Sequence, residues 1–117
     1  MDSVLTSIKK LLGITEEYKQ FDQDLIIHIN SVLMGLTQIG VGPSEGMIIQ
    51  NDSTTWNDLL SNISNLEAVK TYVYLKVKMV FDPPTSSSVM DAMNRSISEY
   101  EWRLNVKAES MESNTEE

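Results

Sequence analysis

His28 is the single histidine of the chain, which contains no cysteine. Nucleophilic catalysis needs an imidazole converging with a serine and a carboxylate, and a zinc centre needs several His or Cys ligands. Neither set can be assembled around His28, so between Ile27 and Ile29 it reads as a surface or interface imidazole. Asp22 and Asp24, with Glu16 and Glu17 upstream, offer carboxylates to a divalent cation but lack the spaced oxygen ligands and the glycine of a calcium loop. They read instead as the acidic opening of a helix, where carboxylates accept from free backbone N–H groups and favour the positive end of the dipole. Gly40-Val41-Gly42-Pro43-Ser44-Glu45-Gly46 is glycine-rich without the Gly-Lys-Ser/Thr end of a phosphate loop, and reads as a mobile projection. With no nucleophile, base and oxyanion donors to combine, the expectation is a protein that is not an enzyme and holds no metal or cofactor.

The elements that position these residues follow from periodicity. Val4, Leu5, Ile8, Leu11 and Leu12 predict a short amphipathic helix closed by Gly13. Leu25, Ile29, Val32, Leu36 and Ile39 predict a second, opened by Asp22 and Asp24 and ended by Gly40 to Pro43. Gly46 to Gln50 suits a short strand or hairpin arm. Thr55 with Asp58 predicts one or two helical turns through Leu60. Ser64-Asn65-Leu66-Glu67 matches a capping box and opens a helix through Phe81, apolar nearly all round and therefore central. Pro83-Pro84 stops it, and Met93, Ile97, Tyr100 and Leu104 mark a last helix from about Ser88 to Lys107. The fold class is all-α: a small bundle of four to five helices, with a Gly/Pro loop or hairpin between the second and third. The domain spans residues 1–108, and residues 109–117, rich in charge and without period, form an acidic tail expected to be disordered in the free protein.

The 117 residues are 41 % hydrophobic, enough for one modest core. Net charge is −8, and the four glutamates within 109–117 leave −4 on the rest. Nine scattered Lys and Arg supply no phosphate-gripping cluster, so tight DNA binding is not expected. Absence of cysteine fits assembly in a reducing cytosol. Met1 to Gly13 has no uninterrupted apolar run of a signal peptide, and no segment approaches the roughly 20 apolar residues that span a bilayer, so no membrane partner is expected. Ile27, Met34, Tyr74 and Trp102 lie off the core stripes, and a cluster of exposed apolar groups marks an interface.

The order of segments carries a resemblance. A short helix ends Leu11-Leu12-Gly13-Ile14, an acid-opened helix starts at Asp22, and a Gly/Pro loop leads to Trp56-x-x-Leu59-Leu60. A valine-rich helix then ends at Phe81-Asp82-Pro83, and another begins soon after. Over about Ser3 to Lys107 this resembles the head-tail connector family of tailed bacteriophages and prophages. The resemblance implies a ring of about twelve copies beneath the portal protein, at the virion head-tail interface after assembly in the host cytoplasm. The ring would prolong the channel, let DNA pass without specific binding, and dock the stopper or tail-completion protein. By the same analogy Trp102, Arg103, Val106 and Lys107 lie near the portal contact, while Gly42, Pro43, Ser44, Glu45 and Gly46 face the channel or tail. A chain this size has roughly 6,400 Å² of surface, and two neighbours covering about 800 Å² each would need a second sticky face, to which Ile27, Met34, Tyr74 and Trp102 contribute. The alternative is another tail-completion or virion-joining protein, or a small helical interaction module without portal affinity.

Overall fold

A computed structural model describes residues 3–43, 45–60 and 66–115, with side chains described as far as Glu109. Five helices follow in order: α1 (Val4–Leu12), α2 (Asp22–Gln38), α3 (Trp56–Leu59), α4 (Leu66–Phe81) and α5 (Ser87–Thr115).

The first helix starts where the Ser3 hydroxyl accepts from the Thr6 N–H, 3.1 Å away, and ends where Gly13 takes φ +82°. That left-handed turn lets the Gly13 and Ile14 N–H groups donate to the Lys10 and Lys9 carbonyls, satisfying groups a helix end otherwise leaves orphaned. Leu5 and Ile8 are buried as the stripe predicts, but Leu11 is exposed and Lys9, one turn after Leu5, is buried in its place.

The ends of α2 also differ in detail from expectation. Asp22 does not cap the helix: Phe21 is the N-cap residue, without a side-chain cap, and the Asp22 carboxylate turns instead to Lys9. At the other end Gly40 takes φ +94°, and a methyl group there would lie 3.1 Å from the Ala108 side chain. This glycine lets the end of α2 pack directly against α5.

The loop read as a mobile projection is folded onto the body, with Val41, Met47 and Ile49 buried. Gly42 and Pro43 are half-buried, Glu45 is exposed, and Ser44 lies outside the described residues. Gly42 takes φ +84°, a left-handed conformation that favours glycine, and a side chain there would also crowd the Met47 sulfur at 2.9 Å. The strand or hairpin arm expected at Gly46 to Gln50 does not form. The Asn30 side chain replaces a pairing strand, its amide donating to the Ile49 carbonyl (2.9 Å) and its oxygen accepting from the Ile49 N–H (2.8 Å). The one bridge among the described residues joins Ser3 to Thr55, beside the Val4 N–H donating to the Thr54 carbonyl.

The helix α3 carries the predicted capping box: the Asp58 N–H donates to the Thr55 hydroxyl and the Thr55 N–H to the Asp58 carboxylate. Trp56 is buried and its indole N–H donates to the Ser7 hydroxyl, tying α3 to α1. The Ser64 capping box lies outside the described residues. As its composition predicts, α4 is central and packs against α1, α2 and α5. Val69, Tyr72, Val73 and Val77 are buried, whereas Val80, on the expected stripe, is exposed. After the two prolines, Ser86 accepts the first N–H bonds of α5. Ile97 and Leu104 are buried from the predicted stripe. The helix continues to Thr115, past the Lys107 end that the stripe marks, because no proline or glycine follows Pro84 to stop it.

Candidate functional site

The residues singled out for contacts occupy two outward helix faces. Ile27 and Met34 are seven residues apart, two turns on one side of α2, and are 64 % and 62 % exposed. Trp102 and Val106, four apart, share the outer side of α5, with Trp102 the more exposed at 66 %. Arg103 pairs with Glu99 one turn back, and Lys107 is exposed. Tyr74 belongs to neither face: it is half-buried and packs against the core. The structure therefore separates the expected cluster into an α2 face and an α5 face.

Between these faces lies a groove of about 360 Å³. Its floor is α4, through Tyr72, Lys76 and Val80, and one wall is α2, through His28, Ser31 and Gln38. Glu101 closes it from α5. The Tyr72 hydroxyl donates to the Glu101 carboxylate at 2.8 Å. Burial of the ring, followed by that hydrogen bond and the negative charge of Glu101, pushes the Tyr72 phenol well above its ordinary range. The Lys76 ammonium sits 5.9 Å from the centre of the Tyr72 ring, within reach of a cation–π attraction. Gly35 keeps the α2 wall low, since a methyl there would meet nothing within 4 Å.

Two features escaped the sequence reading. Lys9 is 2 % exposed, and its ammonium donates to the Asp22 carboxylate (2.8 Å) and to the Tyr18 (2.6 Å) and Glu16 (3.1 Å) carbonyls. One cation thus satisfies its three protons while pinning the 13–21 connector between α1 and α2. The connector in turn presents Tyr18 and Phe21, which form an aromatic run with Phe81: ring centres are 5.4 Å apart for the first pair and 5.1 Å for the second. The signal for Lys9 was its place on the buried side of α1; nothing in the local sequence marks its partners.

Among the described residues, no group of three or more His, Asp or Glu is placed to hold a metal ion, and no helix is long and apolar enough to cross a membrane. The arrangement offers surfaces for contact. Residues 4–111 match the sequence profile of a family described as phage connector protein. No curated protein and no solved structure gives a significant match.

Proposed function

The chain belongs to the phage connector protein family, and from that premise we propose that it is the head-tail adaptor of a virion, forming a ring beneath the portal. The ring extends the DNA channel and offers the stopper or tail its docking surface. The observation that carries this reading is the extent of the family match, which runs from the start of α1 through most of α5 rather than covering one motif. The role is structural, and the surface supports it: large apolar side chains stand exposed on α2 and α5, where a monomer has no use for them. Two different faces suit a head-to-tail contact, in which the α2 side of one copy meets the α5 side of the next and the ring closes when the rotation permits. The acidic balance suits a channel that passes DNA without retaining it.

Native mass measurement of the full chain, alone and mixed with the portal protein of the same virion, tests this reading. A discrete ring on the portal is the expected result. A chain that never joins the portal would leave it a helical module of another kind.

A further inference from the structure

We propose that the groove between α2, α4 and α5 receives the acidic segment 109–117 of a second copy of this chain, with Lys76 as the cation that holds it. The inference rests on the reading that copies assemble side by side.

Lys76 differs from the other lysines of its helix. Lys70 and Lys78 each pair with a carboxylate of their own helix end, Glu67 and Asp82, at 3.5 Å. Lys76 has no carboxylate within ion-pair distance among the described residues, and its ammonium lies over the Tyr72 ring at the groove floor. Glu101, the one acid lining the groove, keeps its charge but turns its carboxylate to the Tyr72 hydroxyl and makes no ion pair with Lys76. A half-buried cation in an open groove, beside the half-buried His28, selects an anionic group; the exposed Val80 on the same floor favours one carried on a chain with some apolar character.

The segment 109–117 has that chemistry. It carries Glu109, Glu112, Glu116 and Glu117 with no Lys or Arg, and Met111 among them. Its own groove is out of reach. Of the described residues of α5, Glu101 alone lines the groove. Glu109 stands two turns beyond Trp102, on the outward side of the helix. At about 1.5 Å per residue, α5 carries Glu112 some 16 Å past Glu101. The helix passes Ala108, its contact with Gly40, and continues to Thr115 without a break. Capture within one copy would require α5 to unwind and fold back, whereas a neighbouring copy can present its groove directly. Such a contact joins unlike surfaces, and passed on from copy to copy in one direction it is of the head-to-tail kind that builds rings.

The test is self-association of the full chain, measured by sedimentation at low and high salt. Lys76→Glu and the tail variant with all four glutamates changed to glutamine should each weaken association about fivefold or more at low salt, with the difference shrinking at high salt. Combining them should cause little further loss, as expected for groups acting on one another. Gly35→Leu, which raises the groove wall without altering charge, should weaken association as well, and circular dichroism should show all three variants folded. Association that ignores Lys76 and Gly35 overturns the groove. A loss with Lys76→Glu but none with the tail variant overturns the occupant and assigns the groove to a carboxylate from another protein. A wild-type chain that stays monomeric yet joins the portal overturns this inference alone, while one that self-associates through the groove but never joins the portal overturns the adaptor reading alone.

Discussion

Lys9 shows what a single buried charge can do in a domain of this size. Its ammonium is out of water and bound to three oxygens, so replacing it with methionine keeps the stem but strands the Asp22 carboxylate and two carbonyls. Breaking a buried pair from one side costs about 3–5 kcal/mol. Asp22 keeps some contact with water, at 17 % exposure, which points to the lower end. Lys9→Met should therefore lower the urea midpoint by an amount equivalent to about 3 kcal/mol, a large share of the 5–15 kcal/mol typical of a small domain. A change below about 1 kcal/mol would show that the connector holds without its pin. Tyr72 ties stability to pH through its phenolic proton. The folded chain keeps the phenolic proton more tightly than the unfolded chain, whose phenol titrates near pH 10. Above that pH the unfolded state holds fewer protons than the folded one, so stability must fall as pH rises. The contribution is fully present at neutral pH and is lost progressively from about pH 10 upward toward the raised folded value. Tyr72→Phe should remove that part of the alkaline slope, and equal slopes in the two proteins would mean that the phenol is neither buried nor held by Glu101 in solution.

At the scale of elements, Gly35 carries the most direct test. It sits in the interior of α2, where glycine costs about 0.5–1 kcal/mol relative to alanine, and an added methyl would touch nothing. Gly35→Ala should stabilise the isolated chain by about that amount, read as a rise in melting temperature. A fall would mean that the α2 wall is closer to its neighbours than the structure shows. The elements themselves were largely legible in the sequence, because each has a local cause. The 3–4 period of apolar residues marks α1, α2, α4 and α5, Gly13 closes a turn that needs positive φ, and Thr55 and Asp58 cap each other across one turn. What was illegible depends on partners distant in the chain. Met47 to Gln50 suits a strand, a short apolar run bounded by turn residues, yet the group that completes its hydrogen bonds is a side chain on α2, nineteen residues from Ile49. Asp22 looks like a cap until α1 supplies Lys9. Leu11 and Val80 show the same limit from the apolar side: each falls on a helical stripe, but the stripe is wider than the surface packed against it. For the candidate site, the exposure of Ile27, Met34 and Trp102 followed from their angular place on helices already correctly drawn. The groove did not, because it is made by three elements together.

The whole molecule is more extended than its length requires. A compact chain of 117 residues has a radius of gyration of about 13 Å and roughly 6,400 Å² of accessible surface; this one has 14.6 Å and 7267 Å². Its extents are 48 × 35 × 20 Å, and α5, about 43 Å long at 29 residues, accounts for most of the long axis. A flat wedge with one long helix leaves broad faces uncovered, and the large apolar residues Ile27, Met34 and Trp102 stand on those faces. In a monomer they contribute little, because burial is what makes an apolar side chain stabilising. In an assembly each fully buried side chain of this kind is worth about 1.5–3 kcal/mol before the entropic cost of association is subtracted. The two roles separate cleanly in one variant. Ile27→Gln with Trp102→Gln keeps residues that helices accept and removes apolar area mostly where water already reaches. The double variant should melt within a few degrees of the wild type, a shift of under about 1 kcal/mol, and keep its helical circular dichroism. Sedimentation with portal protein should at the same time show association reduced at least tenfold, equivalent to about 1.4 kcal/mol. Loss of fold and association in parallel would return both residues to the core, and intact association would move the contact surface elsewhere on the wedge.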